Sequence, residues 1–171
     1  MSANIQRNQL LKTILDQFKI SRKGVHGPTH WARVRYHGLM IGTECGADLN
    51  VVELFAFLHD SQRLNEYSDP EHGARAADYA TSLNGSFFNL NANQLNLLCT
   101  AMKGHSGGKV HSDPTIQTCW DADRLDLGRV GIKPDPYFLS SLAASRIQSA
   151  YEWSMNPVSY THLTLPTIYS V

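Results

Sequence analysis

An imidazole stands beside a carboxylate at the end of an apolar run, in Phe55-Ala56-Phe57-Leu58-His59-Asp60. Burying two such groups is costly unless something compensates them. A divalent cation does so, because it takes the lone pair of a neutral imidazole and the charge of an ionised carboxylate together. An adjacent His-Asp pair is also common on ordinary surfaces, so the pair alone carries little. The chain holds eight histidines, and their positions matter more than their number. His30 follows a Gly-Pro break, His72 follows Pro70-Glu71, and His105 opens a glycine-rich stretch. Asp123 stands in Trp120-Asp121-Ala122-Asp123-Arg124-Leu125.

Helices must position these groups. Ile5, Leu10, Leu11, Ile14, Leu15 and Phe18 follow a helical stripe, which predicts a first helix over residues 3–19. Pro28 suits the first turn of a second, running to about Glu44 and stopped by Gly46. Asp48 or Asn50 caps a third, which carries Val51, Leu54, Phe55 and Leu58 and ends near Arg63. Pro70 opens a fourth that ends near Leu83, and Asn93 caps a fifth. Asp113-Pro114 starts a sixth, carrying Asp121 to Leu127, and Asp135-Pro136 starts a seventh that reaches about Trp153. No alternating strand pattern and no repeat is present. The expected architecture is one all-α domain of six to seven helices over residues 1–157.

The ordered set His30…His59-Asp60…Asp123 on separate helices resembles the HD-domain superfamily of metal-dependent phosphohydrolases. The resemblance covers about residues 20–130. It rests on His26 to Val34, on Phe57-Leu58-His59-Asp60-Ser61-Gln62-Arg63, and on Ala122-Asp123-Arg124-Leu125. That last motif also resembles one in stringent-response nucleotide hydrolases. The sequence departs at Ser61-Gln62, where many members have a small apolar residue and glycine; no ligand is touched. The resemblance implies His30, His59, Asp60 and Asp123 as ligands of one tight divalent metal site. His72 and His105 fit a richer version of the pattern, in which such histidines bind a second metal, with Asp60 bridging, or the substrate phosphate. Asp60 and Arg63 are the expected catalytic pair. Arg63 lies three residues after Asp60, so on a helix it shares a face with it and can reach a phosphoryl oxygen.

Other candidates are weaker. Asp121 is the rival of Asp123, but two positions apart on a helix they face differently, and the motif match favours Asp123. His26 sits before a Gly-Pro break and is expected in a loop or behind a ligand. His37, seven residues after His30, is expected in the core or behind a ligand. His111 lies in a glycine-rich loop, where contact with a substrate is the less favoured reading. Lys103, Lys109 and Arg124 are further cations, each more often a solvated charge. Trp31 and Trp120 are expected to wall the core.

Imidazole and carboxylate donors without thiolate favour manganese, magnesium, cobalt, iron or zinc. Such an ion lowers the pKa of water and clamps a phosphoryl group. The resemblance then implies a small phosphorylated substrate, a phosphomonoester or phosphoanhydride of a nucleotide. Two alternatives remain open: a di-iron oxygenase, which needs both His72 and His105, and a metal- or ligand-sensing module without turnover.

Composition narrows the partners. Fifteen basic residues balance fifteen acidic ones in a chain of 171, so no net field draws it to nucleic acid or to a membrane surface. Cys45, Cys99 and Cys119 form no C-x-x-C pair, and buried thiols in a reducing cytoplasm are expected. The polar stretch Met1 to Gln9 gives no secretory signal, and the longest apolar run, Val51 to Leu58, is interrupted by Glu53. Ser159 to Val171 follows no helical period and resembles translated sequencing-adapter readthrough. Residues 158–171, with His162, are set aside as a non-native or disordered tail; on the first of these readings the natural chain continues differently after about Asn156.

Overall fold

The computed structural model describes residues 4–156; the tail, His162 and the domain boundary at 157 fall outside them. Eight α-helices form among these residues: α1 (Arg7–Gln17), α2 (Pro28–Cys45), α3 (Leu49–Leu58), α4 (His72–Leu83), α5 (Ala92–Gly104), α6 (Pro114–Leu125), α7 (Ser141–Ala144) and α8 (Ile147–Met155). Two 3-10 segments, Asp126–Val130 and Pro136–Phe138, lie between α6 and α7. There is no strand among them, only an isolated bridge between Asn84 and Phe88. The all-α expectation holds. No helix of the described residues is long and apolar enough to cross a membrane.

Helix α3 is the axis of the core. Every residue from Val51 to Leu58 is buried, as befits a helix apolar on all sides. It packs against α2, α5 and α6. Its one charge, Glu53, is 3% exposed. Arg7 Nη2 of α1 and Arg35 Nη2 of α2 each approach the Glu53 carboxylate to 2.7 Å. This pairing compensates the burial and ties three helices together. A smaller apolar cluster of Ile41, Leu125, Leu139, Ala143, Ile147 and Ala150 fastens the C-terminal helices to α2 and α6.

The capping chemistry decides where elements stop. Asp48 accepts from Asn50 N and Val51 N, and Asp113 from Thr115 N and Ile116 N. Gly46 ends α2 in the left-handed conformation at φ 75°. The cap of α5 is Asn91, in a reciprocal box with Gln94, and not Asn93. Helix α3 ends at Leu58 and not near Arg63, because Ser61 Oγ and Ser61 N both donate to Leu58 O and fold the chain into a turn. Helix α4 starts at His72, two residues later than Pro70. The expected seventh helix is three pieces. Asp135 caps Tyr137 N, but Ser140 then caps Ala143 N and restarts the chain.

His37 lies in the core between helices α2 and α8, edge-on to Tyr36 and Trp153. Its Nε2 is buried without a hydrogen-bond partner. Burial pushes the imidazole down to about 4, with Arg33 and Arg146 adding to the effect and Asp126 opposing it. Above an ordinary histidine pKa of 6.5 the ring is neutral folded and unfolded. Between there and about 4 only the unfolded chain takes the proton, so stability falls as pH falls through this window. His37→Leu should therefore lose about 2 kcal/mol less unfolding free energy than the wild type between pH 7 and pH 5. Denaturant titrations at the two pH values measure this. Equal losses would show that His37 titrates normally.

Candidate metal centre

Five helix ends deliver the predicted donors to one place. His30 sits in the first turn of α2, entered through the extended backbone of Gly27. His59 is the C-terminal cap of α3, and Asp60 follows in the turn. His72 opens α4. His105 caps the C-terminus of α5. Asp123 occupies the last turn of α6. Helix ends suit this role because side chains there project past the backbone cylinder into shared space. Gly73 lets the two later histidines meet: a Cβ at this position would lie 2.3 Å from Met102 O, on the neighbouring helix α5.

All four imidazoles are held the same way. His30 Nδ1 contacts Asp126 Oδ2 at 2.6 Å, His59 Nδ1 contacts Phe55 O at 3.0 Å, His72 Nδ1 contacts Asp69 O at 2.5 Å, and His105 Nδ1 contacts Met102 O at 2.7 Å. Carboxylate and carbonyl oxygens only accept, so each Nδ1 carries the hydrogen. In a neutral ring each Nε2 is then a bare lone pair. These lone pairs face each other in two close pairs: His30 and His59 at 3.1 Å, and His72 and His105 at 2.8 Å. No hydrogen remains to sit between them. Positive charge has to enter, as extra protons or as a metal cation.

The carboxylates stand where that charge is needed. Asp60 Oδ2 lies 3.6 Å from His30 Nε2 and 3.4 Å from His59 Nε2. Its Oδ1 lies 3.2 Å from His72 Nε2 and 3.7 Å from His105 Nε2. Asp123 Oδ1 is 3.2 Å from His30 Nε2 and 3.7 Å from His59 Nε2. Three overlapping sets, His30/His59/Asp60, His59/His105/Asp123 and Asp60/His72/His105, each bring their donor atoms within 4.8 Å. Burial opposes ionisation of Asp60, but charge at His59 and hydrogen bonds from His105, His59 and His72 outweigh it and hold the carboxyl well below the usual range. Asp123 is likewise lowered against its burial, by His30, His59 and His105. The donor set fits a divalent metal: neutral imidazoles oriented through Nδ1, and two carboxylates that stay ionised.

Residues outside the ligand set hold it in register. Asp126, fully buried, joins His30 Nδ1 to Arg33, whose Nη2 donates to Asp126 Oδ2 at 2.9 Å. Asp126 was not among the expected site residues, although it follows Asp123 by three positions. Arg63 Nε donates to Asp60 Oδ1 at 2.9 Å, and Nη1 donates to Tyr67 O at 3.2 Å. Arg63 thus grips the central carboxylate from a turn rather than from a shared helix face.

Asp60, Asp123, His105 and Arg63 open into a cleft of about 560 Å³, also lined by Lys109, Arg124 and Arg129. Leu127, Val130 and Phe138 form an apolar part of its wall. His26 lines the cleft as well, and Glu66 accepts from its Nδ1 at 2.6 Å. Arg124 is tied down by Phe138 O and Lys109 O and lies 5.5 Å over the Trp120 ring.

Other expected residues go elsewhere. Asp121 points away from the histidines: it accepts from Gln117 Nε2 at 2.7 Å and Ser140 Oγ at 2.5 Å, and burial raises its carboxyl. His111 is a turn residue that accepts from Asp113 N and packs edge-on to Trp120, outside the cleft lining. Lys103 is exposed and also outside that lining. Trp31 and Trp120 are buried, as expected of core walls.

No family profile matches the chain, and no curated protein matches it. Among solved structures, the chain is similar to a predicted HD superfamily hydrolase from an uncultured Thermotogales bacterium. The two are 22% identical, with 88% of each chain covered and a TM-score of 0.68. The chain has the all-α HD-domain fold, and that fold is what the likeness shows.

Two variants separate the aspartates. Asp123→Asn should weaken manganese binding by at least about 10-fold, whereas Asp121→Asn should leave it within about 3-fold, since a contact behind or beside the ligands costs less than a ligand. Calorimetric titration measures both. A larger loss in Asp121→Asn would reverse the assignment. Gly73→Ala, which forces a methyl group onto the Met102 carbonyl, should destabilise the fold by roughly 1–3 kcal/mol. A variant as stable as the wild type would show that helices α4 and α5 separate freely.

Proposed function

We propose that the protein is a metal-dependent phosphohydrolase acting on a phosphomonoester or phosphoanhydride, with a nucleotide as the favoured substrate. The observation that carries this reading is the Asp60 carboxylate, one oxygen toward each imidazole pair, at the floor of a cleft lined by cationic side chains. The likeness in fold to a predicted HD superfamily hydrolase supports it.

His30, His59, Asp60 Oδ2 and Asp123 would hold one ion, and His72, His105 and Asp60 Oδ1 a second, weaker one with fewer donors. Manganese, magnesium, cobalt, iron and zinc all suit imidazole and carboxylate donors. Bound divalent ions supply a Lewis acid that lowers the pKa of water and neutralises phosphoryl oxygens. The chain's own residues do the rest. Asp126 and the carbonyls of Phe55, Asp69 and Met102 fix the four rings, so no reorganisation is needed when charge develops. Arg63 steadies Asp60 and faces the phosphoryl group, while Lys109 and Arg129 draw the anionic substrate in. Leu127, Val130 and Phe138 offer an apolar surface for a base.

The second imidazole pair also favours a second reading, a di-iron oxygenase, because that chemistry needs His72 and His105 as ligands. Metal identity and reaction separate the two. The phosphohydrolase takes up two equivalents of manganese and releases phosphate from a panel of nucleotides. Asp60→Ala should lose both equivalents and at least about 100-fold in turnover. His72→Ala with His105→Ala should keep one. Oxygen uptake by the iron-loaded protein, without phosphate release from any nucleotide, would decide for the oxygenase. Wild-type metal content and turnover in Asp60→Ala would refute both.

A further inference from the structure

The cationic side chains that line the cleft are not alike. Arg124, in the last turn of α6, engages its guanidinium with the protein's own backbone. Its Nη1 donates to Lys109 O at 2.8 Å and to Phe138 O at 2.7 Å, and its Nη2 donates to Gly108 O. One planar fork thus joins two distant segments, the glycine-rich loop after α5 and the 3-10 segment before α7. The guanidinium also lies 5.5 Å from the centre of the Trp120 ring and 5.7 Å from that of Phe138. A guanidinium suits this task, because its donors point in fixed directions within one plane, whereas an ammonium is a point charge.

The loop needs such a tie. Gly104, Gly107 and Gly108 stand close together in it, and glycine has the most backbone freedom to lose. Trp120 gives the loop a floor. A Cβ at Gly104 or at Gly108 would come within 2.5 Å of that ring, so the backbone lies directly on the indole, whose Nε1 donates to Ala101 O at 2.9 Å. Gln117 fastens the far end, where its Oε1 accepts from His111 N at 2.6 Å. Lys109 stands between, exposed and lining the cleft. Its carbonyl is held by Arg124, which fixes the direction in which its side chain leaves the backbone. Three of the five N–H groups of Arg124 are engaged by carbonyls, whose dipoles offset its charge.

We propose that Arg124 is a positioning residue for substrate binding: it does not hold the substrate's phosphate itself, but sets the glycine loop so that Lys109 does. The inference rests on the phosphohydrolase reading and deepens it, dividing the cations of the cleft by task. Arg63 steadies the bridging carboxylate, Lys109 meets the anionic substrate, and Arg124 builds the wall from which Lys109 reaches. Its bond to Phe138 O holds the apolar side of the same wall in register. Such a role acts on affinity. Lys109 would meet the phosphate before and during the reaction alike, and binding of that uniform kind changes KM and leaves turnover at saturation nearly as it was.

The test is a double-mutant cycle on the manganese-loaded full chain, with a nucleoside 5′-monophosphate as the probe. Arg124→Met and Lys109→Ala should each raise KM by about 10-fold and lower kcat by less than about 3-fold. The double variant should lie within about 3-fold of the worse single one, because Arg124 acts through Lys109. Gly108→Ala drives a methyl group into the Trp120 ring and leaves Arg124 intact. It should show the same rise and the same coupling to Lys109→Ala, and it takes the place of Arg124→Met if that variant fails to fold. Manganese binding should match the wild type throughout. A double variant near the product of the single effects, about 100-fold, would overturn the proposal, because Arg124 would then bind the phosphate independently. An unchanged KM in either single variant, a fall confined to kcat, or loss of manganese from a folded variant would overturn it too. A wild-type protein that binds the nucleotide but releases no phosphate would refute the phosphohydrolase reading alone. The same cycle is then read from calorimetric affinities, where coupling upholds the positioning role and additivity ends it. A wild type that binds no nucleotide refutes both.

Discussion

Everything around the site depends on one constraint: four imidazoles are turned with their bare Nε2 atoms toward each other in a water-poor interior. Two nitrogen lone pairs at about 3 Å repel, and burial removes the solvent that would shield them. The arrangement is tolerable only with positive charge at its centre and negative charge beside it. Asp60 meets the second need for both pairs at once, since its two oxygens face opposite ways. Each Nδ1 bond then acts as a lock. Freed from its oxygen, a ring could turn away and relieve the repulsion, and the centre would be lost.

The fold can be understood as the means of enforcing that constraint. Helix α3 is apolar on every side and ends abruptly, so His59 and Asp60 emerge at the middle of the core rather than at its edge. Ser61 makes the ending sharp by satisfying Leu58 O from its own side chain and backbone. The Glu53 clamp to Arg7 and Arg35 holds the other end of the same helix, so its axial position is set from both sides.

How far the sequence reveals this depends on the range of the signal. His30, His59, Asp60 and Asp123 were legible as candidates because their order matches a family pattern, and His30 and the His59-Asp60 pair also stand at expected helix ends. His72 and His105 were legible as candidates only, since nothing local says that helices α4 and α5 converge. Gly73 is the residue that lets them, and its role needs the neighbouring helix to be seen. Asp126 follows Asp123 at helical spacing and had a usable signal, but its partners His30 and Arg33 lie 96 and 93 residues away. Glu66 had none: it is an ordinary loop residue until His26, 40 positions earlier, is brought against it. The breakage of the expected seventh helix is the reverse case. Asp135-Pro136 is a genuine start signal, but Ser140 is a second one so close behind that only one turn fits between them.

Asp121 and Asp123 show how one helix sorts two like residues without any change of chemistry. Both are carboxylates on α6, and both lie in the buried part of the fold. Two positions along a helix turn the side chain by roughly 200°, so their surroundings differ completely. Asp121 meets neutral donors, Gln117 and Ser140, and burial raises its carboxyl. Asp123 meets imidazoles, and its carboxyl is lowered. The first carboxylate secures the chain between α6 and α7, where Ser140 restarts the helix. The second stays charged where a cation is needed. The same logic separates Asp60 from Glu53 on and just beyond α3. Both are buried acids, but permanent guanidinium charges quench Glu53, whereas the charge of Asp60 faces imidazole nitrogens that could share a metal with it. A buried carboxylate marks a site in this fold only when its partners are themselves able to exchange what they hold.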